Sequence, residues 1–264
     1  MMVRTRIDPD KRSEEGNPMP DRMTIPEGDA FSYIRENVAR LCDRLADVAR
    51  EAGVPVPRLI PVTKSATPEE FLALSRIFPQ AAAENRVQAW RERVELLEAA
   101  GLPSPEWHLI GSLQVNKVKY VSGKVALIQS ADSEKLIREI GRVADNRGVR
   151  QDILLEVNSG REPDKGGVLP EDAAALAEFA RTVPGVRLVG LMTMGPVLDD
   201  PDDYRPFFSL TRELSEKLAR EGLFETDRPV LSMGMSGSWI PAVREGATMV
   251  RVGRALFRRE QNQP

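Results

Sequence analysis

Leu59-Ile60-Pro61-Val62-Thr63-Lys64 is an apolar run that ends on a lysine, and Thr67-Pro68-Glu69-Glu70 follows close behind. The run reads as a strand covered on both faces. The second segment reads as a helix start, with a threonine cap, proline at the first helical position and glutamate placed to complete a capping box. Together they make half of a βα unit, and the chain repeats that unit. Strand-like runs end near Lys64, Glu84, Ile110, Ser130, Asn158, Thr193, Ser232 and Val252. Helical patterns occupy 68–77, 87–99, 135–145, 170–183, 204–220 and 239–245, with a shorter interval after Ile110. Upstream, Phe31, Ile34, Val38, Leu41, Leu45 and Val48 fall on one face of a helix over 30–52, which Gly53 stops.

Eight strands interleaved with helices predict an α/β fold: a single closed (β/α)8 TIM barrel preceded by one extra helix. An open doubly wound sheet is the rival. Against it, no Gly-x-Gly-x-x-Gly follows an early strand and no Gly-x-x-x-x-Gly-Lys-Ser/Thr loop occurs. Residues 30–264 are expected to form the barrel domain, with 1–29 as a flexible tail.

Composition narrows the partners. The chain is 41% hydrophobic and 29% charged, with a net charge of -3. That balance gives no electrostatic footprint for nucleic acid or an anionic membrane. No apolar stretch reaches a membrane span and the first residues hold no signal-type apolar core, so the cytoplasm is the expected address. Cys42 and His108 are each the only residue of their type, which leaves no cysteine cluster or histidine pair to hold a metal. Both are expected to pack in the core, as are Met192, Met194, Met233 and Met235.

Polar residues gather at the carboxyl ends of the strand runs: Lys64, Asn85, Ser130, Asp132, Asn158, Thr193, Ser232 and Arg251. In a barrel these converge on one mouth, where such folds keep their chemistry. A lysine amine there can form a Schiff base with an aldehyde, including that of pyridoxal 5'-phosphate. Ser232-Met233-Gly234-Met235-Ser236-Gly237-Ser238 follows the seventh strand run, and Thr248-Met249-Val250-Arg251-Val252-Gly253 is the eighth. Glycines and hydroxyls at those two strand ends suit a phosphate. Serines and glycine in a turn are ordinary turn chemistry, and a strand-end lysine often only reaches solvent. The combination makes a pocket.

These segments, with Glu84-Asn85-Arg86-Val87-Gln88, Trp107-His108-Leu109-Ile110-Gly111-Ser112-Leu113-Gln114-Val115-Asn116-Lys117 and Gly190-Leu191-Met192-Thr193-Met194-Gly195-Pro196, resemble the pyridoxal phosphate homeostasis protein family. Its members are single-domain relatives of the alanine racemase barrel. The resemblance spans about residues 58–257. It implies a protein that holds pyridoxal 5'-phosphate as a Schiff base on Lys64, with little or no catalysis of its own. Ser232, Ser236 and the Gly253 backbone would hold the phosphate, Arg251 would face the pyridine nitrogen, and Asn85 would line the pocket near the ring. Pyridoxal phosphate-dependent apoenzymes would be transient recipients, and the protein would be a monomer.

There are departures. Ala83 and Arg86 replace a usual glycine and tyrosine, Ser112 and Gln129 stand where histidines are common, and Arg254 follows Gly253 where a small hydroxyl residue is usual. Two alternatives stay open: a racemase or related enzyme of the same barrel type, and a barrel for another phosphorylated metabolite. The racemase would need a second, β-rich domain, for which the eleven residues after Gly253 give no room. It would also need a catalytic tyrosine, yet Tyr33, Tyr120 and Tyr204 all fall on predicted helices. Arg254 is expected on the solvent side of the rim, with a last helix beginning at once.

Overall fold

The computed structural model describes residues 30–259, so the tail expected over 1–29 lies outside the described residues. The capping box that opens the reading of the chain is formed. Glu70 N–H donates to Thr67 Oγ1 at 3.2 Å, and Thr67 N–H donates to Glu70 Oε2 at 2.9 Å. It starts α2 (Pro68–Ile77), which lies between β1 (Arg58–Pro61) and β2 (Ala81–Glu84). The alternation continues through α3 (Val87–Ala99), β3 (Glu106–Leu109), α4 (Val118–Val121), β4 (Leu127–Ala131), α5 (Glu134–Asp145) and β5 (Gln151–Val157). It ends with α6 (Ala173–Thr182), β6 (Val186–Thr193), α7 (Arg205–Arg220), β7 (Val230–Ser232), α8 (Trp239–Arg244) and β8 (Met249–Val252). The extra helix, α1 (Ser32–Ala52), packs on α8 and α2 and stops at Gly53, whose φ of 68° lets its N–H return to the last helical carbonyls.

All neighbouring strands run parallel, in the order β1-β8-β7-β6-β5-β4-β3-β2. The seam between β1 and β2 is closed by one bridge from Val62 to Ala83, with Thr63 N–H donating to Ala83 O at 3.0 Å. The sheet is therefore a barrel, and the open doubly wound alternative falls.

Pleating sends alternate residues inward and outward. Ile60, Val62, Ala81, Ala83, Leu127, Leu154, Val189, Met192 and Met249 fill the inside. Their neighbours Leu59, Ala82, Ile128, Ile153, Leu155, Leu188, Leu191, Val250 and Val252 join the apolar faces of the helices in a larger outer core. Burying each large aliphatic side chain there contributes roughly 1.5–3 kcal/mol, which explains why the strands read as nearly continuous apolar runs. Where β6 passes β7, the Cβ of any other residue at Gly190 would sit 2.0 Å from Val230 O. The two strands can approach only because that side chain is missing.

Two helical expectations need correction. The sixth helix begins at Ala173 rather than Pro170. Asp172 N–H turns back to Leu169 O and the Glu171 carboxylate pairs with Arg161 at 2.7 Å, which holds these residues as a turn. Among the described residues no helix follows Gly253. Residues 253–257 form turns, and Asn37 of α1 donates to the carbonyls of Leu256 and Arg258 at 3.1 and 2.8 Å. An α-helix would need those carbonyls for its own ladder.

Thr67→Ala removes one partner of the capping box on a solvent-facing helix end. Chemical denaturation should show a loss of about 1 kcal/mol that Thr67→Ser largely restores.

Candidate functional site

The carboxyl ends of the eight strands open on one mouth, and Arg251 lies at its base. It shares the inward parity of Met249 on β8 and is only 2% exposed. Its Nη1 donates to Ser232 Oγ at 2.7 Å and its Nη2 to Thr193 O at 2.9 Å. The Ser232 hydroxyl donates onward to Gln129 Oε1 at 2.7 Å, and Gln129 Nε2 meets His108 Nδ1 at 2.8 Å. With the amide nitrogen as donor, Nδ1 accepts and the imidazole is neutral. Thr193 Oγ1 donates to Val157 O at 2.9 Å and meets Ser159 Oγ at 2.8 Å. A chain of hydrogen bonds thus crosses the barrel from β3 through β4, β7 and β8 to β6, fixing the plane of the guanidinium. His108 is a core histidine, as expected, at 2% exposure.

Both of these Arg251 bonds go to neutral oxygens, so its charge is balanced only through space. The neighbouring charge is Glu156, which continues the inward parity of Leu154 on β5 and is 6% exposed. Burial pushes the Glu156 carboxyl up to about 7, with the negative charge of Asp132 adding to the rise and Arg251 opposing it. Burial lowers Arg251 to about 10, against the pull of Glu156. Gly166 marks how close the two carboxylates come. A Cβ there would lie 3.6 Å from Asp132 Oδ2 and 4.0 Å from Glu156 Oε2.

Above this base stand the other expected residues. Lys64 is exposed on a turn just past β1 and is next in the inward series of Ile60 and Val62. Asn85 holds the same place after Ala81 and Ala83, and its Oδ1 is buried without a hydrogen-bond partner. The Asn85 backbone is approached so closely by Gly111 that a Cβ there would fall 2.2 Å from Asn85 O. Gly253 and Val62 make a similar close pass, with Val62 O 2.9 Å from the Cβ position of Gly253.

The hydroxyls of Ser232, at the end of β7, and of Ser236 and Ser238 in the turn after it separate into three roles. Ser232, expected on the phosphate, is fully buried, with its proton on Gln129 and a lone pair on Arg251. Its hydroxyl orients the guanidinium. Ser238 is buried and accepts from Met235 N–H at 3.2 Å, which shapes the turn. Ser236 is half-buried with a hydroxyl bonded to nothing among the described residues, next to exposed Gly237 and open space. Gly234 takes φ 90° and packs its Cα on α8, where a Cβ would meet Ala242 Cβ at 2.6 Å. Arg254 is exposed on the rim, as expected.

An amine, an orphaned amide oxygen, a free hydroxyl and a fixed buried cation lie at or just past the carboxyl ends of β1, β2, β7 and β8, the end at which a parallel barrel opens. That donor set fits a phosphorylated aromatic aldehyde: the amine for the aldehyde, the hydroxyl for the phosphate and the guanidinium for a ring heteroatom. Glu156 was the residue missed. Its signal was a lone charge inside the run Ile153-Leu154-Leu155-Glu156-Val157, on the parity that Leu154 shows to be inward.

Glu156 has a consequence for stability. Unfolded, the carboxyl loses its proton near pH 4.3, whereas folded it keeps it to about 7. Its stabilising contribution is complete below the lower value and is lost as pH rises through the upper one. Glu156→Gln should therefore change little at pH 4 and stabilise the protein by on the order of 2 kcal/mol at pH 8, read from denaturant midpoints. An equal effect at both pH values would rule out this titration.

Comparison with known proteins agrees with the architecture. The alanine racemase N-terminal domain matches residues 36–260. A pyridoxal phosphate homeostasis protein of Aquifex aeolicus is 41% identical over 227 residues, covering 86% of this chain and 95% of that protein. One from Deinococcus radiodurans is 39% identical over 215 residues, covering 80% and 93%. Among solved structures, PipY of Synechococcus elongatus with pyridoxal phosphate bound superposes with a TM-score of 0.73 at 30% identity, covering 85% of this chain and all of that one. An alanine racemase of Clostridium difficile shares the fold alone, at 16% identity and a TM-score of 0.68, and this chain spans 58% of it. The match of the family over residues 36–260 and the 41% identity to a relative covered over 95% of its length place the chain in the alanine racemase N-terminal domain family, among the pyridoxal phosphate homeostasis proteins.

Proposed function

We propose that this protein binds pyridoxal 5'-phosphate and serves its homeostasis, holding the cofactor through a Schiff base on Lys64 and catalysing little or nothing on its own. The observation that carries the reading is the fixed, buried Arg251 beneath an opening whose rim presents Lys64, Asn85 and Ser236. When bound, the cofactor supplies an aldehyde to condense with an amine and a pyridine ring able to withdraw electrons. The residues of this chain decide how much of that is used.

Lys64 provides the amine, which must lose a proton to attack and releases water on condensation. The free Ser236 hydroxyl and the Gly253 backbone hold the phosphate, with Ser232 acting from below through Arg251. Asn85 lines the ring. Arg251 opposes a protonated pyridine nitrogen, because a guanidinium has no acceptor for that proton and repels a second positive charge. An unprotonated ring is a weak electron sink, suited to storage more than to turnover. For the racemase alternative, none of the three tyrosines is placed to serve as the second acid/base. Tyr33 binds Glu70 on the outer helices, Tyr120 lies in α4, and the Tyr204 hydroxyl accepts from Leu198 N–H ahead of α7.

Cytoplasmic residence, a monomeric state and delivery to pyridoxal phosphate-dependent apoenzymes belong to the same proposal. Among the described residues no helix is long and apolar enough to cross a membrane. Free diffusion between apoenzymes fits a small single barrel.

Two measurements test the reading. The protein with added cofactor should absorb in the near-visible, and borohydride should remove the band and attach the cofactor to Lys64. Lys64→Ala should show neither, whereas attachment at another lysine would refute the assignment. Free alanine should be racemised far below the ~10 per second of a typical enzyme. A rate near that value would favour the racemase.

A further inference from the structure

Lys64 sits on an exposed turn, yet a covalent anchor works only when its amine is held at a fixed distance from the rest of the pocket. The carbonyls on either side of that turn are both bound by one side chain of α3. Arg93 Nη2 donates to Thr63 O at 3.2 Å and to Ala66 O at 2.5 Å, and Nη1 reaches Thr67 O at 3.5 Å. Thr63 and Ala66 flank Lys64 and Ser65, so the guanidinium grips the turn at both ends. Arg93 is itself held. Its Nε lies 3.6 Å from Glu84 Oε1, its side chain is 12% exposed against none for Glu84, and its plane covers the Phe71 ring at 4.8 Å. Glu84 Oε1 also accepts from Thr63 Oγ1 at 2.6 Å, which ties the ends of β1 and β2 together where the barrel closes.

We infer that Arg93, with Glu84 as its counterion, is a positioning residue that sets the Lys64 turn for capture of the cofactor aldehyde. It touches no ligand. It acts through the backbone around Lys64, from outside the barrel. A guanidinium suits this role because its fan of five N–H donors can serve several carbonyls and a carboxylate at once, and a lysine ammonium lacks that geometry. The inference rests on the cofactor reading, but its central claim concerns the turn and can be tested apart from it.

Removing Arg93 alone would leave Glu84 buried and unpaired, so the test uses Arg93→Met together with Glu84→Gln, and Arg93→Lys beside it. Two quantities are read: the dissociation constant for pyridoxal 5'-phosphate with its borohydride-sensitive band, and amide hydrogen exchange along the chain. In the double variant we expect cofactor affinity to fall at least tenfold. Exchange of the Ala66 amide, which donates to Thr63 O at 3.0 Å, should speed up at least tenfold while β4 to β6 keep their protection. Arg93→Lys should lie between the double variant and the unaltered protein in both readouts. A folded double variant with unchanged affinity and unchanged exchange at the turn would overturn the inference. A uniform rise in exchange around the barrel would do the same, reducing Arg93 to general stability. If the double variant does not fold, Arg93→Lys decides by the same criteria. If the unaltered protein captures no cofactor, the functional reading fails, and the exchange data alone decide whether the clamp holds the turn.

Discussion

A guanidinium buried inside a barrel needs hydrogen-bond acceptors, and the interior of this one supplies Arg251 with two of them. The cation has no directly bonded carboxylate. A serine from β7 and a main-chain carbonyl from β6 take its protons, and a glutamine from β4 holds the serine. Each partner sits on a different strand, so the barrel must close in the correct register before the charge can be buried. A slip of one residue in β7 or β4 would turn Ser232 or Gln129 outward and break the network that holds the charge. The same network leaves the guanidinium plane with little freedom, which a binding group for a planar ring requires.

Most of the fold was legible in the sequence because its parts are local. The capping box at Thr67, the left-handed stop at Gly53 and the covered strand runs are each decided by a few adjacent residues. The end of β8 was not legible. Ala255-Leu256-Phe257 has ordinary helical propensity, but Asn37, more than two hundred positions earlier, claims the carbonyls that a helix would need. Propensity carries no information about a partner so distant in sequence.

The site divides along the same line. Lys64, Asn85 and Arg251 could be placed because strand ends converge in a barrel and side chains alternate. Ser232 could be located but its task could not, because a hydroxyl between two strands serves whichever neighbour the fold supplies, and here that is Gln129 and Arg251. Gln129 does what a neutral amide can: it accepts from Ser232 with one end and donates to His108 with the other. Glu156 was hidden by its setting in an apolar run. Its raised pKa comes first from burial, with Asp132 adding to the rise and Arg251 opposing it, a setting that the folded barrel creates.

Two arginines on opposite sides of the sheet, Arg251 buried and Arg93 partly buried, therefore divide the work at the mouth. Arg251, inside, fixes the base of the pocket through side chains of several strands. Arg93, outside, fixes the backbone of a single turn on its rim. The arrangement has a physical logic. An amine must remain mobile enough to gain and lose a bond to its ligand, so its side chain cannot be packed tightly, and constraint has to be applied to the main chain instead. Clamping carbonyls from behind achieves this without placing any group in the path of the ligand. The charge of the clamp is neutralised by Glu84 on the far side of the sheet from the mouth, so it adds little to the field that an anionic cofactor meets. That field is left to groups on the inward side of the strands, Arg251 and Glu156 among them.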